Sequence, residues 1–151
     1  MRRALRPSRR EVIVGGSAVV MAASTRADAA TPFDEALRRI AGEAPPQRGR
    51  VHLDIPPITE NGNSVSVTVV VDSPMTPAEH VRTIAVLAEK NPFPEVAQFH
   101  LNPRAGRAQV ATTMRLATSQ RVLAVATMSD GSVWADEKDV LVTISACTDG
   151  G

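Results

Sequence analysis

Short runs of valine, isoleucine and threonine recur along this sequence, and each run is closed by proline, glycine, asparagine or aspartate. β-Branched side chains pack well on a pleated surface, whereas proline and glycine interrupt the hydrogen bonds of a strand. Aromatic residues make up only 3% of the chain and tyrosine is absent, so small and β-branched side chains must fill the core. This pattern predicts an all-β fold, an immunoglobulin-like antiparallel β-sandwich of about seven short strands.

The predicted sandwich covers residues 51–144. Its strands are expected at 51–55, 64–71, 84–88, 96–101, 109–117, 121–128, 133–135 and 140–144. Residues 81–87 are ambiguous, because Val81, Ile84 and Leu87 would also share one face of a helix. A strand is favoured there, since Asn91-Pro92-Phe93-Pro94 closes the segment like a loop between strands.

Residues 30–50 are predicted to hold a short helix and a linker. Thr31 is a suitable N-cap and Pro32 fits the first helical position. Gly42 fits the end of the helix, because glycine readily adopts the backbone conformations that terminate helices. The face expected to pack on the sheets consists of Phe33, Leu37 and Ile40.

Residues 1–29 have the three parts of an export signal: a basic start, an apolar segment at 12–23 and a small-x-small cleavage site that ends at Ala29. Arg9 and Arg10, directly after Ser8, are similar to the twin-arginine signal, which we favour over a general secretion signal. The apolar segment is shorter than the roughly 20 residues that span a bilayer. We therefore expect export to a bacterial periplasm, with cleavage after Ala29.

The leader has a net positive charge, with six arginines against two acidic residues, and the rest of the chain is mildly acidic, with 11 basic and 14 acidic residues. An acidic body lacks the basic surface that nucleic acids require, and no later segment could span a membrane. His52, His80 and His100 lack the close spacing of a metal site. No phosphate-binding loop and no G-x-S-x-G elbow is present in the sequence. We expect no cofactor, no metal and no enzyme activity.

The only cysteine, Cys147, follows the last predicted strand and lies close to the end of the chain. A thiol in this position is expected on a short, flexible and exposed arm. A single unpaired cysteine in an exported protein indicates either a reactive thiol or an intermolecular disulfide. The predicted arm consists of Ser145, Ala146, Cys147, Thr148, Asp149, Gly150 and Gly151.

Several segments, taken in their order and spacing, resemble the SoxY family of sulfur carriers. They are PITENGNSV at 57–65, VDSPMT at 71–76, KNPFP at 90–94, MSDG at 128–131 and the terminal cysteine in a glycine-containing tail. The resemblance implies an immunoglobulin-like β-sandwich that pairs with SoxZ, itself a β-sandwich, in the periplasmic thiosulfate-oxidising (Sox) system. It also implies that Cys147 carries sulfur intermediates covalently and that the carrier is the substrate of the Sox enzymes.

The resemblance further implies three transient partners. Cytochrome SoxAX couples thiosulfate oxidatively to the thiol, SoxB hydrolyses off sulfate, and a sulfane dehydrogenase oxidises the sulfur that remains. The exposed segments 60–63 and 72–76 are the expected partner surface, although 60–63 is equally well explained as a plain turn. The alternative from another class is a structural or binding sandwich whose Cys147 forms an intermolecular disulfide.

The tail departs from the family's Gly-Gly-Cys-Gly-Gly motif. Ser145 and Ala146 replace the leading glycines, and Thr148-Asp149 separates Cys147 from the glycine pair. The negative charge of Asp149 is expected to raise the pKa of the Cys147 thiol and to disfavour an anionic adduct. This tail fits either a thiosulfate carrier or a carrier for another sulfur substrate.

Overall fold

The computed structural model describes residues 29–144. Within them one helix and eight strands follow in the order α1 (Pro32–Ala41), β1 (Val51–Asp54), β2 (Ile58–Asn61), β3 (Val65–Val71), β4 (Val81–Ala88), β5 (Glu95–His100), β6 (Gln109–Met114), β7 (Gln120–Met128) and β8 (Val133–Ile144), with a 3₁₀ turn at Pro103–Ala105. The prediction of a largely β chain with one short N-terminal helix is confirmed. None of the helical residues in this range forms a helix that is long and apolar enough to cross a membrane.

The strands form two sheets that enclose one apolar core. The smaller sheet has the order β1-β3-β6 and the larger has the order β2-β8-β7-β4-β5. Alternate side chains of β3 face the core, where they meet residues of β4, β7 and β8 from the other sheet. The inward-facing residues include Val65, Val67, Val69, Val71, Val86, Val122, Ala124, Ala126 and Val140. As predicted, small and β-branched side chains supply most of this core.

Helix α1 packs on the outer face of the larger sheet, over β4 and β7. Phe33 and Ala36 are buried there against Leu87 and Leu123, and Leu37 and Ile40 pack beside them. Strands β4 and β7 are therefore buried on both faces, so their sequences are continuously apolar instead of alternating. This explains why the period of residues 81–87 was ambiguous, and the favoured interpretation, a strand, is confirmed.

The ends of α1 form as the sequence predicts. The Thr31 hydroxyl oxygen accepts from the Asp34 amide at 3.2 Å, while the Thr31 amide donates to an Asp34 carboxylate oxygen at 3.0 Å. This reciprocal pair is a capping box, which satisfies two otherwise free donors. At the other end the Gly42 amide donates to the Arg38 carbonyl at 2.8 Å, with a φ of 81° that favours glycine.

Three sequence predictions need correction. The segments 133–135 and 140–144 are one strand, β8, and the segment after Pro56-Pro57 is a strand, β2, which had no predicted counterpart. β2 pairs with β8 in parallel, so the sheets are not wholly antiparallel as expected. The prolines explain this change, because they interrupt β1 after Asp54 and let the chain cross from the smaller sheet to the edge of the larger one.

The strand registers define two ends of the sandwich. The arm end carries the last residues of β8 together with the connecting segments 62–64, 89–94 and 115–119. The far end carries the connecting segments 72–80, 101–108 and 129–132. The two segments expected to form one partner surface, 60–63 and 72–76, therefore lie at opposite ends of the molecule.

Candidate functional site

The structure describes the end of β8, from which the predicted arm starts and which we call the arm root. It does not describe the arm itself. Cys147 and all other residues of the segment 145–151 lie outside the described residues, as does the predicted leader up to residue 28. Ile144 is the last described residue, and it ends β8 at the arm end. The described residues show how the end of β8, where the arm is attached, is held and what surrounds it.

The end of β8 is held from both sides. On one side β2 pairs with it, placing Ile58 beside Leu141 and Asn61 beside Ile144, and the Gly62 amide donates to the Ile144 carbonyl at 3.0 Å. On the other side Ser119 caps the strand: its hydroxyl oxygen accepts from the Val142 amide at 2.9 Å and its hydroxyl group lies 3.3 Å from the Val142 carbonyl. The arm therefore starts from a fixed point of the sheet.

A buried amide side chain ties the neighbouring loops to this root. Gln120 is 5% exposed and its carbonyl oxygen accepts from the Lys90 amide at 2.7 Å. Its amide group donates to the Asn91 side-chain oxygen at 2.9 Å and to the Thr118 carbonyl at 3.0 Å. Gln120 thus joins the β4–β5 loop to the β6–β7 loop directly beside Ser119.

Asn91 completes the connection. Its side-chain amide donates to the Arg115 carbonyl at 2.8 Å, and its oxygen also accepts from the Ala117 amide at 3.0 Å. The Leu116 amide, in the same loop, donates to the Gly62 carbonyl at 2.8 Å. Three loops and the end of β8 are consequently linked by hydrogen bonds between residues distant in sequence.

Exposed apolar side chains gather around this root. Within residues 29–144, the large hydrophobic residues exposed by half or more are Phe93 (84%), Ile144 (64%), Ile58 (61%) and Leu141 (50%). Ile58 and Leu141 are register partners on β2 and β8. Phe93 lies in the β4–β5 loop, which also belongs to the arm end.

The histidines do not form a site. His52 on β1 is exposed and contacts Asp72 at 2.9 Å, His80 bonds to the Thr76 carbonyl at 3.1 Å, and His100 is exposed at the end of β5. Across residues 29–144 there is no group of three or more His, Cys, Asp and Glu side chains that could hold a metal ion.

Among residues 29–144, the two carboxylates whose pKa is shifted lie away from the arm root. Hydrogen bonds from the Thr31 hydroxyl and amide lower the pKa of Asp34 below its usual value, at the start of α1. Hydrogen bonds from the Ser132 hydroxyl and amide lower the pKa of Asp130 in the same way, in the β7–β8 turn at the far end. Both groups stabilise local turns.

Comparison with known families decides the assignment. The model of the family described as sulfur oxidation protein SoxY matches residues 37–147, nearly three quarters of the chain, and the match ends on Cys147. The chain belongs to the SoxY family. The matched range also includes both sheets and the whole arm root of this SoxY-family chain.

Solved structures agree with the family assignment. The sulfur carrier protein SoxY from Chlorobium limicola f thiosulfatophilum is similar with a TM-score of 0.63 and 29% sequence identity, covering 77% of this chain and 100% of that one. Superoxide reductase (neelaredoxin) from Ignicoccus hospitalis has a TM-score of 0.55 at 20% identity, covering 62% and 80%. Superoxide reductase from Nanoarchaeum equitans has a TM-score of 0.52 at 15% identity, covering 65% and 96%. The two reductases indicate a shared fold only. No curated protein matches in sequence.

Sequence reasoning found the family but missed the residues that hold the arm root. Gln120, Asn91 and Ser119 had no predicted role, and β2 was missed altogether. Asn91 was seen only as part of a loop. The one available signal was Gln120, a polar residue two positions before the continuous apolar run at 122–126, and it proves to be buried.

Proposed function

We propose that this SoxY-family protein is a covalent sulfur carrier in periplasmic thiosulfate oxidation and that Cys147 is the attachment point. The observation that carries the proposal is the family match over residues 37–147, which reaches the single cysteine. The similarity to a structure named as a sulfur carrier protein supports it. The firmly held root of β8 supports it as well, because a carrier must present its thiol from a defined place.

The thiolate is the nucleophilic form of cysteine, so the first step acts on the deprotonated Cys147. The thiol first gives up its proton to water. The Cys147 thiolate and thiosulfate are then joined by a new S–S bond with loss of two electrons, which a cytochrome of the SoxAX type accepts, and a cysteine S-thiosulfonate results. Water then cleaves the terminal S–S bond at a SoxB-type hydrolase, releasing sulfate and leaving a persulfide on Cys147. A sulfane dehydrogenase, where present, oxidises that sulfur, and the hydrolase releases it.

In this proposal the protein contributes position and not catalysis. A covalent bond keeps each intermediate with the carrier and at a high local concentration when the arm reaches the next active site. A SoxZ-like β-sandwich subunit is the proposed stable partner. Residues 1–29, with Ser8-Arg9-Arg10, are proposed to direct export by the twin-arginine route, with cleavage after Ala29.

Intact-protein mass spectrometry without reductant tests the proposal. The protein is purified from the periplasm of thiosulfate-grown cells, and we expect a mass that starts at Ala30 and carries thiosulfonate or sulfane additions on Cys147. Reductant should remove them, and Cys147→Ser should never show them. A chain that carries only a free thiol, or only a reductant-sensitive homodimer, would refute the carrier proposal and favour a structural domain with an intermolecular disulfide.

A further inference from the structure

The exposed apolar residues are distributed unevenly over the sandwich. Phe93 is 84% exposed at the tip of the β4–β5 loop, and the three others lie on the last residues of β8 and on β2 beside it. The far-end segments of the described chain expose no large hydrophobic side chain, and Met75, which lies in one of them, is buried. Single exposed apolar residues are ordinary, but a concentration at one end indicates an interaction surface.

The loop that carries Phe93 is held in one conformation. Pro92 and Pro94 restrict the backbone on both sides, and the Ala88 amide closes the loop by donating to the Pro94 carbonyl at 2.8 Å. The bonds of Asn91 and Gln120 fix the loop base. An aromatic side chain presented by a rigid loop loses little conformational entropy on binding, which is the property of an interface anchor.

The surroundings of Phe93 indicate the chemistry of a partner. Hollows of about 620 Å³ and 330 Å³ flank it, one against α1 and one against Arg115 and Ala117, so that the ring stands between them as a ridge. Lys90 and Arg115 are exposed on the adjoining loops, and neither forms an ion pair with a carboxylate of residues 29–144. The hollow on the α1 side is also lined by Glu35 and Glu95, and Glu95 pairs with Arg39 at 3.4 Å. The surface therefore fits an apolar pocket whose rim is acidic where it faces Lys90 and Arg115.

The length of chain beyond the structure restricts what can occupy this surface. Cys147 is the third residue after Ile144, so its Cα can lie at most roughly 11 Å from that residue. The Phe93 loop lies about 12 Å from β8 across the sheet, because β7 and β4 intervene at roughly 4.8 Å per strand. An enzyme that takes the Cys147 sulfur into its active site must therefore press against the arm end.

We propose that Phe93 is the docking anchor for the cytochrome that conjugates thiosulfate to Cys147, entering an apolar pocket beside the opening of its active site. This inference rests on the proposed carrier function and adds the surface by which the carrier is recognised.

The test is the rate of thiosulfate conjugation by the cytochrome, measured against the concentration of carrier purified with its SoxZ-like subunit. For Phe93→Ala we expect the KM for the carrier to rise about tenfold or more with kcat unchanged, because a docking contact stabilises the ground and transition states equally. Phe93→Leu should keep most of the affinity. Arg104→Ala, an exposed change at the far end, is the location control and should leave KM unchanged.

Further readouts keep the inference separate from the carrier proposal. The rate at which a small disulfide reagent reacts with Cys147 should be the same in all variants, which shows that the arm itself is intact. Phe93→Ala kinetics equal to wild type would overturn the inference while the carrier function stands. If Phe93→Ala no longer binds the SoxZ-like subunit, or no longer forms a homodimer that wild type forms, the ring belongs to that interface. This result would also overturn the inference. If wild-type protein is never conjugated, the carrier proposal fails and this inference fails with it.

Discussion

The two ends of this sandwich are held together by different kinds of hydrogen bond. At the arm end the bonds join segments distant in sequence: Asn91 reaches Arg115, Gln120 reaches Lys90, and Ser119 reaches Val142. At the far end most side-chain bonds are local, as in the Ser73–Met75 and Asp130–Ser132 turns. The exceptions are Ser129, whose hydroxyl accepts from the His80 amide, and the exposed pairs Arg50–Glu79 and His52–Asp72.

This difference has a physical consequence. A local turn can open without disturbing its neighbours, whereas loops that share buried hydrogen-bond partners loosen together. The arm end therefore behaves as one unit that fixes the start of the arm, and it also carries the exposed apolar residues. The far end consists mainly of local turns with a polar surface, and Ser129 joins the segment 129–132 to the segment 72–80. The proposed carrier arm thus starts where long-range hydrogen bonds make a rigid base.

The largest expected effect is the loss of unfolding free energy when one buried side chain is truncated at each end of the sandwich. Leu116 is fully buried in the arm-end loop 115–119, and Met75 is 5% exposed in the far-end segment. Leu116→Ala and Met75→Ala should each lower the free energy of unfolding by about 2–5 kcal/mol, because each leaves a cavity. Urea unfolding measures this loss in both variants.

Hydrogen exchange then distinguishes the two ends. We expect Leu116→Ala to speed local exchange of the Gly62 amide, which bonds to the Ile144 carbonyl, and Met75→Ala to leave that exchange unchanged once global stability is taken into account. If Met75→Ala speeds the Gly62 amide equally, the two ends are coupled and the comparison fails.

A smaller effect is expected from removing the hydrogen bonds of Gln120 without removing its volume. Gln120→Met leaves the Lys90 amide and the Asn91 side-chain oxygen each without one buried partner, so the free energy of unfolding should fall by about 1–3 kcal/mol. Exchange of the Lys90 and Ala117 amides should rise together, because Asn91 connects them.

Ser129→Ala at the far end is the matched control for that variant. It removes the bond from the His80 amide and a longer bond to the Ala78 carbonyl, and it should cost about 1 kcal/mol, with faster exchange at His80 and no change at Lys90. Independent changes at Lys90 and Ala117 in Gln120→Met would contradict the description of the arm end as one unit.

The sequence predicted best those elements whose determining residues lie close together in the chain. The helix was predicted with its cap, because Thr31, Asp34 and Gly42 act within one turn of their partners. Most strands were predicted because their β-branched runs and turn residues are adjacent. The strand at 81–88 was hidden in part by α1, since burial of both its faces removes the alternation that marks a strand.

The arm end was the least predictable region for the same reason. β2 is a strand only because β8, some eighty residues away, offers it an edge, and four residues of its own show no such preference. Gln120 and Asn91 are ordinary polar residues until the fold brings them into contact. Cys147 could be proposed from sequence because it is the only cysteine, but what holds its attachment point required the structure.

The smallest expected effect is a difference in how the two ends respond to acid. At the far end the Asp130 carboxylate accepts from the Ser132 hydroxyl at 2.6 Å and from the Ser132 amide at 2.8 Å, and these bonds lower its pKa below the usual 3.8. A lowered pKa means that the charged carboxylate stabilises the folded turn at pH values above 3.8, and that this contribution is lost as the pH falls through the lowered value. At the arm end the acceptor for the Lys90 amide is the neutral side chain of Gln120, which does not titrate.

Acid should therefore open the far-end turn while the arm root stays closed. We expect exchange of the Ser132 amide, corrected for the intrinsic rate, to rise as the pH falls below 3.8 and through the lowered pKa of Asp130, while that of Lys90 does not. An NMR titration of the Asp130 carboxyl should show its lowered pKa, and Ser132→Ala should move that pKa up toward 3.8 while leaving the pKa of Asp34 unchanged. Parallel loosening of Ser132 and Lys90 in acid would mean that a charge elsewhere holds both ends, and that the amide bonds of Gln120 do not suffice to hold the arm root.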